Sequence, residues 1–198
     1  PFTIAASAKH FAAYGFAEAG RDYNTVDIGL NTLHNIVLPP FKAAVDAGIK
    51  TFMNSFNDLN GIPATADAYL QRDLLKGEWG FDGFVVSDWG SIREMVDHGY
   101  AKDRKQAGEM SVLGGSDMDM ESSIYVNELE ALLEEKKINI AHIDDAVKRI
   151  LKVKFELGLF DDPYLYCNEE LEKQITGSQE LVQANLDVAK KSIVLLKN

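Results

Sequence analysis

The sequence holds a single cysteine, Cys167, in 198 residues, which excludes a disulfide within the chain and a zinc cluster built from cysteines. It also lacks any apolar run long enough to cross a bilayer as a helix. Positive charge is scarce: 20 lysines and arginines face 31 acidic side chains, for a formal charge of -11. Nucleic acid and anionic membrane repel such a chain and are poor partners for it, whereas a neutral ligand such as a sugar is compatible. The opening, PFTIAAS, has no initiator Met and no basic stretch or cleavage site of a secretion signal. It already reads as strand, so the chain is expected to be a portion of a larger protein. What remains is ordinary for a globular protein, with 46% apolar and 26% charged residues, enough for one core or for one domain and part of another.

Four apolar segments read as strands: Thr3 to Ala8, Thr51 to Ser55, Phe84 to Ser87 and, more weakly, Ser116 to Met120. Helix-length segments lie between them, at Asn31 to Ala47 with a bend at Pro39 and Pro40, at Ala66 to Lys76, and at Ser91 to Leu113 with a break near Gly99 to Asp103. This rhythm is that of βα units in a parallel sheet. Four such units make half of an eight-stranded barrel, and half a barrel leaves two open sheet edges. Beyond Met120 the pattern is helical. Val126, Leu129, Leu132 and Leu133 share one face of Tyr125 to Glu135; Ile143, Val147, Ile150, Leu151 and Leu157 share a face of Ile140 to Leu157, which Gly158 is placed to end. Asp161 to Ser178 shows no periodicity and reads as a linker, followed by a helix at Gln179 to Lys191 and a short strand at Ser192 to Leu196.

The stretch GFDGFVVSDWG, residues 80 to 90, concentrates the chemistry. Phe84 to Val86 suit a strand buried on both faces, and Ser91 with Glu94 forms a capping box for a following helix. Asp88 therefore falls in the turn after a buried strand, where parallel α/β proteins present reacting groups. An acid beside the large ring of Trp89 suits a sugar; a turn-forming Asp and a core Trp are the plainer alternatives. Lys9, His10 and Phe11 end the first strand and Arg21 follows, a set able to bind hydroxyls or phosphate if its members are not simply solvated. Ser55 to Gly61 is a polar loop containing Phe56. Aligned as a calcium loop on Gly61 it would place Phe56 at a ligand position, so a structural Asx turn fits better. Asp117, Asp119 and Glu121 alternate with Met118 and Met120; no His joins them, and a surface acidic row or a supporting role behind the site suits them better than a magnesium or calcium site. His34, His98 and His142 show no ligand-like spacing, and no cofactor or metal is called for.

KHFAAYG (residues 9 to 15), GRDYNTVD (20 to 27), NDLNGIPATAD (57 to 67) and GFDGFVVSDWG together resemble family 3 glycoside hydrolases, closest to the bacterial periplasmic β-glucosidases among them. The likeness continues through KVKFELGLFDDPY and SIVLLKN. It implies residues 1-160 as the second half, about four βα units, of a TIM-type (β/α)8 barrel, 161-185 as linker, and 186-198 as the start of an α/β sandwich domain. It further implies a retaining exo-β-glucosidase, periplasmic or secreted, acting on a β-glucoside or short β-glucan through a covalent intermediate. Asp88 matches the nucleophile, Trp89 the aromatic wall, and Lys9, His10 and Arg21 the ligands of sugar hydroxyls. Phe56 stands where the family often has Tyr, and Met118 falls in the last barrel strand, near the site. The acid/base Glu would come from the sandwich domain, so the chain alone is expected to be inert. A β-xylosidase or β-N-acetylglucosaminidase of the same family, or a non-catalytic sugar-binding fragment, are the alternatives. The N-acetylglucosaminidases usually carry Pro-Gly-His-Gly where this chain has Ala12, Ala13, Tyr14 and Gly15.

Overall fold

Three strands, β1 (Ser7–Phe11), β2 (Thr51–Asn54) and β5 (Phe84–Val86), pair in parallel in that spatial order. The computed structural model describes residues 4–197. Ser7 aligns with Thr51, and Thr51, Phe52 and Met53 with Phe84, Val85 and Val86. The segment expected as a fourth strand joins through one parallel bridge, Val86 to Met118. Each strand thus lies beside the one before it, with helices between as crossovers. A two-residue hairpin, β3 (Asp58–Leu59) and β4 (Ile62–Pro63), stands after β2. Its turn is Asn60-Gly61 with φ of 54° and 85°, the left-handed pair that a tight hairpin of this hand requires.

Helix α1 (Leu30–Thr32) runs into a π-type turn, Leu33–Val37, and α2 (Pro39–Asp46) restarts at the two prolines as expected. A π-type helix, Tyr69–Glu78, links β2 to β5. Then come α3 (Ser91–Asp97), α4 (Arg104–Gly114), α5 (Ile124–Glu134) and α6 (Ile140–Glu156). Phe11, Phe52 and Val85, fully buried on neighbouring strands, form the centre of the core with Leu70, Leu74 and Leu75 of the π-type helix. Phe52 meets Phe11 and Phe81 edge-on at 5.4 and 5.0 Å, a favoured arrangement of aromatic quadrupoles. Ile92 and Met95 of α3 pack with Ala107 and Ile124 in a second cluster.

Several expectations shift. The first strand is Ser7–Phe11, not Thr3 to Ala8, because pairing with Thr51–Asn54 fixes its extent; Thr3 lies outside the described residues. Lys9 and His10 are therefore strand residues. Ser91 and Glu94 form no capping box: α3 starts from Gly90 at φ 69°, with no side-chain cap, and the Ser91 hydroxyl meets Thr65 Oγ1 at 3.0 Å instead. Val126 is 87% exposed, whereas Leu132, expected on the same face, is buried. Within the supposed linker a helix, α7 (Glu169–Ile175), forms because the Asn168 side chain accepts from Leu171 N and three acids occupy its first turn. After α8 (Gln179–Ser192), residues 193–197 form no strand, since no neighbouring strand offers them hydrogen bonds.

Candidate active site

The carboxyl end of β5 is laced to the segment after α4. Val85 O accepts from Asp117 N at 2.8 Å, Met118 O from Ser87 N at 2.8 Å, Ser87 Oγ from Met120 N at 2.8 Å, and Met120 O from Gly90 N at 2.9 Å. Asp88 is held inside this lacing. Its carbonyl accepts from Ser91 N at 3.1 Å and its Oδ1 from Trp89 N at 2.7 Å. Gly90 makes the turn that follows: a Cβ there would come within 2.9 Å of Arg93 Nη2, and its φ of 69° also favours glycine.

Asp88 Oδ2 lies 3.4 Å from His10 Nε2, with the two side chains 17% and 20% exposed. Burial lowers the pKa of His10, and Lys9 adds to this; the charges of Asp88 and Asp22 pull the other way without reversing it. At neutral pH the contact is thus between a carboxylate and a neutral ring. The imidazole stands edge-on to Tyr14 at 4.9 Å and to Phe56 at 6.3 Å. Phe56 is buried and forms the hub of the wall, touching Tyr14 at 5.0 Å and Tyr23 at 4.3 Å between ring centres. The Asp22 carboxylate beside Tyr14 raises that phenol's pKa. Trp89, by contrast, is 66% exposed next to Asp88.

Asp88, His10 and Phe56 are thus brought together, with Trp89 at their rim. Lys9 lines an open recess of about 280 Å³ that also includes His10 and Tyr14. Arg21 is exposed in the loop after β1 and makes no ion pair among the described residues. Met118 joins through its backbone, which donates to Val85 O at 3.1 Å. The acidic row expected at 117 to 121 does not act as a row. Asp117 takes Lys76 Nζ at 2.6 Å and Val85 N at 2.8 Å, Asp119 takes Ile124 N at 2.7 Å and Tyr125 N at 3.1 Å, and Glu121 pairs with Arg93 at 3.2 Å. Burial pushes the Asp117 carboxyl up and the Lys76 amine down, each opposed by the partner's charge.

Sequence reasoning passed over Tyr14 and Tyr23, although both lie in the motifs quoted above. It also missed Glu94, assigned there to a cap: one of its oxygens, Oε2, is buried with no hydrogen-bond partner, and burial raises its pKa. A cleft of about 540 Å³ lies elsewhere. It is lined by Ile4, Ala44, Ile49, Lys50 and Val153, near the amino ends of β1 and β2, and is mostly apolar.

Residues 2–153 match the family described as the glycosyl hydrolase family 3 N terminal domain. The chain is 42% identical over 200 residues to a periplasmic beta-glucosidase of Salmonella typhimurium, covering 100% of this chain and 26% of that protein. It is 35% identical over 205 residues to a beta-xylosidase of Formosa agariphila, covering 98% of this chain and 28% of that protein. A crystal structure of beta-glucosidase from Listeria innocua in complex with glucose superposes with a TM-score of 0.80 at 47% identity, over 81% of this chain and 22% of that one. The chain spans about a quarter of the length of these curated relatives.

Proposed function

This chain belongs to glycosyl hydrolase family 3, and on that premise we propose that it is part of a retaining, exo-acting β-glucosidase with Asp88 as its nucleophile. The observation that carries the reading is the placement of Asp88: beyond the carboxyl end of β5, held by Trp89 N, 3.4 Å from His10 Nε2 and flanked by an exposed indole. In this reading Asp88 Oδ attacks the anomeric carbon while a second carboxylic acid protonates the departing oxygen. Water then cleaves the glycosyl ester and returns Asp88 to a carboxylate. The two carboxyl groups of a retaining pair stand about 5–5.5 Å apart. The acid/base Glu belongs to a sandwich domain that begins at 186-198 after a linker at 161-185, so residues 1–198 by themselves would not turn over.

Lys9, His10 and Arg21 hydrogen-bond hydroxyls of the non-reducing sugar, Trp89 covers one face of its ring, and Phe56 and Met118 close the base of the subsite. The strand order β1, β2, β5 and then Met118, each parallel neighbour added on the same side, supports residues 1-160 as the second half of a (β/α)8 barrel. The periplasmic name of the Salmonella relative supports a periplasmic or secreted location.

The test uses the full-length protein and an aryl β-glucoside. Asp88→Asn should remove hydrolysis by several orders of magnitude while the far-UV circular dichroism and melting temperature stay near those of the unaltered protein. Near-normal turnover would sink the assignment. The Formosa relative favours a second reading, a β-xylosidase. Comparing kcat/KM for aryl β-glucoside and aryl β-xyloside decides between the two.

A further inference from the structure

Beneath the turn that carries Asp88 lies a buried cluster of uncharged polar side chains that the proposed chemistry does not use. Asn54 and Ser55 at the carboxyl end of β2, Thr65 in a 3-10 turn (Ala64–Ala66), Gln71 in the π-type helix, Ser91 at the start of α3 and Ser116 after α4 are each at most 4% exposed. Burying polar groups is costly unless they are paired, so such a cluster persists only when its members bond one another. Asn54 Nδ2 donates to Ser116 Oγ at 2.7 Å and to Gln71 Oε1 at 3.3 Å. Gln71 Nε2 donates to Ala64 O at 2.9 Å and Thr65 O at 3.1 Å, and Ser116 Oγ to Thr65 O at 2.9 Å.

Thr65 links this cluster to the turn. Its hydroxyl meets Ser91 Oγ at 3.0 Å, Ser55 O at 3.2 Å and Asn54 Oδ1 at 3.3 Å, and among the described residues it is the one partner of the Ser91 hydroxyl. Ser91 N in turn donates to Asp88 O at 3.1 Å. Two hydrogen bonds thus run from Thr65 through Ser91 to the backbone of Asp88. On its other side the same turn is tied to the segment after α4, by Gly90 N to Met120 O at 2.9 Å and Met120 N to Ser87 Oγ at 2.8 Å. Thr65 has little room to drift: a Cβ on Gly114 of α4 would come within 2.6 Å of the Ala66 backbone, so the 3-10 turn sits hard against that helix.

We propose that Thr65 is a positioning residue for Asp88, fixing the turn through Ser91 so that the Asp88 carboxylate is aimed at the anomeric carbon. The inference rests on the glucosidase reading above and adds to it a side chain that touches no substrate. Displacing an attacking atom by about 1 Å costs on the order of a hundredfold in rate. Loss of one tie among several lets the turn drift by less, so the expected cost is about tenfold.

The experiment follows the attack itself in the full-length protein, with a dinitrophenyl β-glucoside that carries fluorine in place of the hydroxyl next to the anomeric carbon. The bond from Asp88 Oδ to the anomeric carbon forms as the bond to the aryl oxygen breaks, and dinitrophenolate leaves with the electron pair and needs no proton. The fluorine slows hydrolysis of the glycosyl ester, so the trapped protein accumulates. In Thr65→Val the first-order trapping rate should fall about tenfold, with half-saturation within about twofold and dinitrophenolate still released stoichiometrically. That stoichiometry counts competent sites, so a role confined to folding would lower the count and not the rate. Thr65→Ser, which keeps the hydroxyl, should trap within about twofold of the unaltered rate. Ser91→Ala breaks the same chain nearer Asp88 and serves if Thr65→Val does not fold, with an expected fall of about fivefold. A rate within about twofold of normal in folded Thr65→Val or Ser91→Ala, or a Thr65→Ser protein as slow as Thr65→Val, overturns the positioning role and leaves the glucosidase reading standing. No release of dinitrophenolate by the unaltered protein overturns both.

Discussion

Asp117 and Asp88 flank the same short strand and differ in how much of their hydrogen-bonding capacity is committed. Asp117, 4% exposed, spends one oxygen on Lys76 and the other on Val85 N. Asp88, 17% exposed, has one firm backbone donor and a neutral imidazole at 3.4 Å. A carboxylate has room for about four acceptor contacts, so Asp88 keeps capacity that Asp117 has largely used. The difference fits the proposed roles, in which the first carboxylate fixes the strand and the second is left open beyond its end.

The sharpest way to break this contrast is to remove each charge in turn. Asp88→Asn should lower kcat/KM by at least about a thousandfold and shift unfolding free energy by no more than about 0.5 kcal/mol. A large stability loss would make Asp88 a structural residue like its counterpart. Asp117→Asn or Lys76→Met should do the reverse and cost about 3–5 kcal/mol in urea denaturation, because the remaining charge is left buried and unpaired. The double replacement Lys76→Met/Asp117→Leu should recover most of that loss; failure to recover would mean that the tie to Val85, not the charge pair, carries the stability. Trp89→Ala should reduce kcat/KM about ten- to a hundredfold with little change in stability, since an exposed ring contributes little to packing.

The smallest effect concerns His10. Its pKa in the folded protein lies below the ordinary 6.5, so the unfolded chain takes up the proton first as pH falls. The stability is undiminished above pH 6.5 and declines below it. Because the Asp88 charge raises the His10 pKa, Asp88→Asn should move the NMR titration midpoint of this imidazole further down. A move upward would show that the contact at 3.4 Å does not couple the two groups.

Much of this was legible in the residues themselves. The apolar run Phe84 to Val86 announced a buried strand, and Asp88-Trp89 directly after it marked the candidate site. Asn60-Gly61 carries the hairpin signal in its two residues, beyond the structural turn expected there. What was not legible depends on partners distant in the chain. Lys76 and Asp117 are 41 residues apart, and only the packing of the π-type helix against the segment after α4 brings them together. The Ser91 to Glu94 capping box was a sound local inference overruled from outside, since Thr65 engages the Ser91 hydroxyl and Glu94 turns its Oε2 inward. Strand extents failed for the same reason, because a strand is as long as its neighbour allows.

The exposure of Trp89 also gives the protein a built-in optical reporter. The chain has two indoles, and they differ in surroundings: Trp79 packs against the main core, whereas Trp89 faces solvent beside Asp88. A sugar laid against Trp89 would exclude water from its face and blue-shift its emission while Trp79 stays constant, so binding beside Asp88 in this chain can be followed by intrinsic fluorescence without a label.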